Sequence, residues 1–425
     1  MKLSVIIPVY NKWELTSACL SSLAQHTRQP LEVVVVDNGS TDATAQACPS
    51  VGAALFGEHF VYLRQESNRN FAPACNMGAQ VASGDLLLFL NNDTILTTSW
   101  LDPLLTSLAA PPYPTAVGPM LLYPQFAGRP DRVQHLGIAI EPRLYFRHLY
   151  AGFPQAHPVC RKPRRYLALT AAALLLSRKT FMEEGRFDED FINGGEDIEF
   201  GLRLSARGHV FTCVPESRIY HLVSQTPGRH AHEEHNAKVL KEKALHRAVP
   251  DLHFFVEKDN YQLALTAGLH VYIDLPQRRK DILDKQVERS SSSAELELLL
   301  EKEPLCYPAY NKLADMQLAA GLPDAAANTL FLSVTLREDL HVARRLAAVA
   351  GMVQQAELAE RAAKITAWYA RQDIKDLLDT AVFMSGFTEQ LQISSVHTLY
   401  KDWIHRAERE GAHILEGGIP AQGAL

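Results

Sequence analysis

The feature that most constrains this chain is a rhythm. Through about the first 110 residues, short apolar runs alternate with stretches of helical spacing. Leu3 to Val9, Glu32 to Asp37, Phe60 to Arg64 and Asp85 to Asn91 are too short for helices and end in polar turn residues, so they read as strands. Between them, Trp13 to Gln25 and more weakly Pro73 to Val81 carry apolar residues one helical turn apart. Repetition of strand, helix, strand marks parallel strands joined by crossover helices, so the expected fold class is α/β with a doubly wound, mostly parallel sheet. Ligands of such sheets collect beyond the carboxyl ends of the strands. The places to search are therefore the polar exits Tyr10-Asn11, Asp37-Asn38-Gly39-Ser40 and Asn91-Asn92-Asp93.

A length of 425 residues exceeds what one hydrophobic core organises, so two to three domains are expected. The net charge of −6 argues against nucleic acid as main partner, because a phosphate backbone demands a broad basic surface. Cys19, Cys48, Cys75, Cys160, Cys213 and Cys306 form no CxxC pair and no zinc-like spacing, which fits a reducing cytoplasmic setting. Leu3 to Val9 is too short for a signal-peptide core and contains Pro8, and no apolar stretch reaches the roughly 18 residues of a membrane span.

Residues 111 to 166 lose clear periodicity and read as an irregular insertion. Between Phe126 and Tyr166 they hold eight Lys or Arg against two acidic residues, either a solvated surface or one facing an anionic acceptor or a membrane headgroup. Pattern resumes with Leu167 to Leu176, a strand or buried segment, and with a helix from about Glu196 to Arg207. Beyond about residue 250 the chain is helix-rich, with Ser290 to Ser293 as a linker. Ala314, Ala326, Leu330 and Ser333 stand where tetratricopeptide repeats place small or apolar packing residues, and Ala347, Ala359 and Ala363 form a second copy offset by about 33 residues. An unrelated helical bundle is the alternative.

Chemistry concentrates at the strand exits. Asp37 ends a strand and is followed by Gly39 and Ser40, an arrangement that suits hydrogen bonds to a base or ribose, although a helix cap or turn residue is the plainer reading. Asp93 stands where the apolar strand LLLFL meets a polar loop, and a hard oxygen ligand there suits magnesium or manganese bridging a diphosphate. A turn is again the alternative. Glu196 and Asp197 open a helix after Gly194-Gly195, where two carboxylates would complement the helix dipole or supply a base.

Taken in order, VIIPVYN (Val5 to Asn11), VVVVDNGSTD (Val33 to Asp42), NRNFAPACNMG (Asn68 to Gly78), LLLFLNNDT (Leu86 to Thr94) and FDEDFINGGEDIEFGLRLSARG (Phe187 to Gly208) resemble glycosyltransferase family 2, whose fold is GT-A. The resemblance spans about residues 1 to 225. It implies an inverting transfer of a sugar from a nucleoside-diphosphate sugar, with a UDP-sugar favoured, to a hydroxyl of a saccharide, a lipid-linked saccharide or a protein, assisted by Mn2+ or Mg2+. Carried over by position, it implies that Pro8, Tyr10 and Asn11 frame the nucleotide pocket, that Asp37 contacts the base, and that Asn38, Asn68 and Asn76 belong to the same donor site. Asn91 and Asp93 fall on the first and last places of the family's DxD element, with Asn92 between them. The first of these places usually meets ribose and the last binds metal; here the first is an amide, which leaves most of the metal binding to Asp93. Asn70 and Ala171 stand where relatives more often carry Gly.

Glu196-Asp197 resembles the family's ED element, whose aspartate is the base. That role suits a one-step displacement, in which a carboxylate takes the acceptor hydroxyl's proton as it attacks opposite the diphosphate. His221, in RIYHLVS, looks like the family histidine that completes the metal site. A lone histidine is more often structural, and the chain has seventeen. His230, His232 and His235 read instead as an exposed helix face.

The expected organisation is a GT-A domain over 1–250, a connecting segment over 251–293 and a helical accessory domain over 294–425. That last region would dock a protein partner, mediate self-association or buttress the enzyme. The expected location is cytoplasmic, with peripheral contact at the inner face of the membrane. Two rival readings are a sugar-1-phosphate nucleotidyltransferase, which normally needs a Gly-rich, basic loop where this chain has PVYNKWE, and a catalytically degenerate GT-A scaffold.

Overall fold

The computed structural model describes residues 2–222 and 229–416. Strands β1 (Leu3–Val9), β2 (Leu31–Asp37), β3 (Phe60–Arg64) and β4 (Leu86–Leu90) are parallel, joined by α1 (Trp13–His26), α2 (Thr44–Phe56) and α3 (Phe71–Val81). Every residue of β1 and β2 is buried, which is why both read as near-continuous apolar runs: helices cover the sheet on both faces. Val5, Ile7 and Val9 share a core with Cys19, Leu20 and Leu23 of α1. Ile6, one residue out of phase, joins Ala72, Cys75 and Ala79 of α3 on the other face.

The chain continues through β5 (Thr94–Leu96), α4 (Leu101–Ala109), β6 (Ala116–Phe126), β7 (Arg129–His135), β8 (Ile138–Ile140), β9 (Phe146–His148), β10 (Arg164–Tyr166), β11 (Ala173–Ser177), α5 (Arg178–Glu183), α6 (Glu196–Ser205) and β12 (Phe211–His221). The sheet order is β10-β12-β6-β11-β4-β1-β2-β3, with β5 paired to β12 and β7 to β6. β11 is antiparallel to both β4 and β6, whereas β12 and β6 are parallel. The sheet is thus parallel in its first half and mixed in its second, the curled form of a GT-A-like fold.

Residues 111 to 166 differ from the irregular insertion expected, since they hold β6 to β10. Ala116 to Leu122 is buried throughout, but Pro119 interrupts its strand signal because proline cannot donate to the ladder. The sheet absorbs this locally: Pro119 pairs with Val214, and the β6–β12 register shifts between Val214 and Arg218.

A cluster of rings fixes α6 against β4. Phe89 lies 4.7 Å from Phe181 and 4.9 Å from Phe187, and Phe187 lies 5.2 Å from Phe200. Such pairs add roughly 0.5–1.5 kcal/mol each beyond their buried area. Because Phe89 precedes the Asn91–Asp93 loop and Phe200 follows Asp197 by one helical turn, the cluster holds the two acidic exits in fixed relation.

After α7 (Glu233–Lys243) and α8 (Leu252–Lys258), the hairpin β13 (Gln262–Leu265) and β14 (Val271–Asp274) leads to α9 (Gln277–Arg289) and then α10 (Ser293–Lys302), α11 (Tyr307–Ala319), α12 (Pro323–Leu336), α13 (Leu340–Met352), α14 (Ala356–Ala370), α15 (Ile374–Gln390) and α16 (Ser394–Glu410). Ser292, in the expected linker, caps α10 in a reciprocal box with Glu295. Ala314, Ala326, Leu330 and Ser333 are buried. In the second copy, Ala363 is exposed and its neighbour Ala362 is buried, so an offset of 33 sets the packing faces of α12 and α14 one residue out of phase, whereas an offset of 32 pairs the buried Ala326 with Leu358 and Leu330 with Ala362. The helices lie against the sheet region through Phe331 on Phe126 at 5.6 Å and through Glu301, which pairs with both Arg129 and Arg132. Among the described residues, no helix is long and apolar enough to cross a membrane.

Candidate active site

The exits of β1, β2 and β4 open on one cavity of about 530 Å³. Of the residues expected at a donor site, Pro8, Tyr10, Asn38, Asn68, Asn91 and Asn92 line it. Asp93, His221, Glu196 and Asp197 line the same space, so one cavity gathers residues from the loop after β4, from β12 and from α6.

Three expected residues are placed differently. Asp37 is fully buried and does not line the cavity: its carboxylate accepts from the Ser40 amide at 2.8 Å, from the Tyr62 hydroxyl at 2.5 Å and from Arg64 at 3.1 Å. Register explains this, because β2 and β3 set Arg64 directly beside Asp37. Burial and the Asp37 carboxylate together push the Tyr62 hydroxyl well above its usual range. Asn11 ties two exits together, its side-chain oxygen accepting from the Thr41 amide at 2.7 Å and its own amide donating to Ser40 Oγ at 2.8 Å. Asn76 is buried and bonds both ways with Phe187, donating to its carbonyl and accepting from its amide. It fastens α3 to the turn before α6.

Asp93 and His221 meet because β12 ends against β5: His221 pairs with Thr94, and Leu222 donates its amide to the Asp93 carbonyl at 2.8 Å. His221 Nε2 lies 3.1 Å from Asp93 Oδ1 and 3.2 Å from Asn91 Nδ2. The other ring nitrogen, Nδ1, lies 2.6 Å from Gln134 Oε1. Nearby, His135 Nδ1 lies 2.6 Å from His148 Nδ1, and burial, followed by the neighbouring His148 and His221, holds His135 well below its usual value.

The segment between β10 and β11 connects this centre to α6. Asn91 donates its amide to the Ala172 carbonyl at 2.9 Å, while the Ala171 amide donates to Asp197 Oδ2 at 3.1 Å. The Ile198 amide holds Asp197 Oδ1 at 2.8 Å. Glu196, also on the cavity wall, is buried and accepts from the Gly194 amide at 2.8 Å. The turn depends on Gly195, whose φ of +100° favours glycine and whose missing Cβ would lie 2.9 Å from Phe191 Cδ1.

The pair Asp93 and His221 fits a divalent cation by its chemistry. Gln134 Oε1 faces Nδ1, which leaves Nε2 toward a carboxylate oxygen 3.1 Å away, and a divalent cation there would be held by both. Carboxylate oxygen and imidazole nitrogen are both ligands for manganese-class metals. Among the described residues, no group of three or more His, Cys, Asp or Glu forms a closed metal site. The remaining ligands would therefore come from diphosphate and water.

Sequence reasoning did not single out Gln134 or His148, and it assigned no role to the Ala171 amide. Gln134 is the residue skipped where the β6–β7 register shifts between Leu121 and Leu122, a bulge with no residue signature, and a backbone amide has none. His232 and His235 are exposed, as expected, but His232 also lines the cavity and His235 Nε2 bonds the Asp190 carbonyl at 2.8 Å; His230 lies outside the described side chains. His148 also borders a second cavity of about 350 Å³, walled by Arg143, Arg147 and Tyr272 and, from the helical region, by Thr335 and Arg361.

Residues 4–165 match the family model described as glycosyl transferase family 2. The chain is 35% identical over 231 residues to the O-antigen biosynthesis protein RfbC of Myxococcus xanthus, covering 52% of this chain and 17% of that protein. It is 32% identical over 232 residues to validoxylamine A glucosyltransferase of Streptomyces hygroscopicus subsp. limoneus, covering 51% and 50%. Against the N-acetylglucosaminyl-diphospho-decaprenol L-rhamnosyltransferase of Mycobacterium tuberculosis it is 26% identical over 240 residues, covering 53% and 78%. The chain thus spans half or less of the length of the first two of these relatives.

Proposed function

We propose that this protein, whose residues 4–165 match the glycosyl transferase family 2 model, is an inverting glycosyltransferase. It moves a sugar from a nucleoside-diphosphate sugar, with a UDP-sugar favoured, to a hydroxyl of a saccharide, lipid-linked or protein acceptor. The observation that carries this reading is the convergence of Asp93, His221 and Asp197 on one cavity beyond the strand ends. Similarity to proteins named for O-antigen biosynthesis and for transfer to a diphospho-decaprenol-linked sugar supports a saccharide or lipid-linked acceptor. With a lipid-linked acceptor, the protein would work at the inner face of the membrane from the cytoplasm.

Asp197 is the base. Held by the Ala171 and Ile198 amides, its carboxylate takes the proton of the acceptor hydroxyl as that oxygen forms its bond to the anomeric carbon. The bond from the anomeric carbon to the diphosphate breaks on the opposite face, and the nucleoside diphosphate leaves with the bonding pair. Asp93 and His221 would hold Mn2+ or Mg2+, which when bound would offset charge on the diphosphate. Asn38, Asn68, Asn91, Tyr10 and Pro8 surround the donor. Glu196 supports the turn rather than the chemistry.

We assign residues 1–250 to catalysis, 251–293 to a connecting segment and 294–425, helical among its described residues, to a unit that buttresses it. The contacts of Glu301 with Arg129 and Arg132 support that role for the helices. His148 borders both cavities, and Thr335 and Arg361 of the helical unit wall the second. Incubation of purified protein with Mn2+ and a panel of nucleotide sugars tests the assignment: Mn2+-dependent release of nucleoside diphosphate from one donor is expected, and neither binding nor turnover of any donor would overturn it.

A further inference from the structure

Gln134 lies where β7 departs from regular pairing. Leu121 of β6 faces His135 and Leu122 faces Val133, which leaves Gln134 as the extra residue of a bulge. Bulges re-aim a side chain, and this one sends a buried amide toward the end of β12. Both ends of that amide meet one residue: Nε2 donates to the His221 carbonyl at 2.9 Å, and Oε1 lies 2.6 Å from His221 Nδ1.

The two contacts decide each other. A backbone carbonyl only accepts, so the amide nitrogen must face it, and the amide oxygen must then face the ring. The amide oxygen also only accepts, so Nδ1 carries the hydrogen. In a neutral imidazole this leaves the lone pair on Nε2, the atom 3.1 Å from Asp93 Oδ1. Had the ring taken the other tautomer, the hydrogen on Nε2 would occupy the direction a cation needs.

We propose that Gln134 is the positioning residue of His221, a two-point clamp that fixes the ring's tautomer and its angle so that Nε2 is presented to a divalent cation beside Asp93. The inference rests on the metal-assisted reading above. It adds a residue that touches neither donor nor acceptor and acts through the histidine alone. Such partners of metal-binding histidines are typically worth about 10- to 100-fold in metal affinity.

The test measures Mn2+ binding to the full-length protein in the presence of UDP, by calorimetry and by Mn2+ electron paramagnetic resonance, for wild type, Gln134→Met and Gln134→Glu. Methionine keeps the bulk and removes both bonds, whereas glutamate keeps an acceptor for the Nδ1 hydrogen. We expect affinity to fall roughly 10- to 100-fold in Gln134→Met and to be largely restored in Gln134→Glu. A second readout is the 15N spectrum of His221 without metal, with the hydrogen on Nδ1 in wild type and in Gln134→Glu but shared with Nε2 in Gln134→Met. If Gln134→Met does not fold, Gln134→Asn, whose shorter amide cannot reach both atoms, replaces it. Equal Mn2+ affinity in all the proteins, with wild type binding, overturns the role of Gln134 and leaves the transferase assignment standing. Absence of Mn2+ binding in wild type overturns both.

Discussion

His221 presents its Nε2 to Asp93 Oδ1 across 3.1 Å because the last residue of β12 pairs with Thr94, the residue that follows Asp93. Two elements distant in the chain thereby make one site, and neither side chain alone would hold a cation. His221→Ala is expected to reduce Mn2+ binding in the presence of UDP and to lower kcat by about 100-fold or more, with folding intact by circular dichroism. Unchanged Mn2+ dependence of turnover would remove His221 from the metal site.

Gly195 bears on the base rather than the metal. A methyl group at this position would sit 2.9 Å from Phe191 in a backbone conformation that L side chains rarely adopt. Gly195→Ala should cost on the order of 1–3 kcal/mol in urea unfolding and should lower turnover by displacing Asp197. UDP binding, which depends on the strand exits, should change much less.

Phe200 is fully buried among Phe181, Phe187 and Phe211. Removing it leaves a cavity between α6 and the sheet. Phe200→Ala should destabilise the fold by roughly 3–5 kcal/mol, measured by chemical denaturation, and loss of less than about 1 kcal/mol would mean the ring cluster does not hold α6.

Asp251 gives a pH dependence with a definite sign. It is half-buried, its Oδ1 accepts from the Ile140 amide at 2.7 Å, and burial pushes its carboxyl up to about 7. The fold therefore prefers the protonated acid, whereas an unfolded chain ionises near about 3.9. Stability from this group is fully present below about pH 4 and is lost as pH rises toward 7. Asp251→Asn keeps the acceptor and cannot ionise. It should match wild type at pH 4 and exceed it at pH 8 by on the order of 1–3 kcal/mol in urea unfolding; equal stabilities at both pH values would contradict the assignment.

The parallel half of the sheet was legible because its strands are continuous apolar runs that stop at polar residues, and those stops are where Tyr10, Asn38, Asn91 and Asp93 meet the cavity. Asp197 and His221 were legible through motif order. Asp37 was not, since its environment is set by Tyr62 and Arg64 on a neighbouring strand, and nothing within VVVVDNGSTD reports that pairing. β6 was hidden by Pro119, and Gln134 by a bulge that exists only once β6 and β7 pair. Local pattern reveals strand ends; partners across the sheet appear only with register.

The most direct test compares Asp197→Asn and Asp93→Asn with wild type for two quantities, Mn2+-dependent UDP binding by calorimetry and sugar transfer with the donor that wild type uses. The account predicts that Asp197→Asn binds UDP as wild type does and loses transfer by about 10²- to 10⁴-fold, whereas Asp93→Asn loses the Mn2+-dependent binding itself. Retained transfer by Asp197→Asn, or unchanged Mn2+-dependent binding by Asp93→Asn, would contradict it.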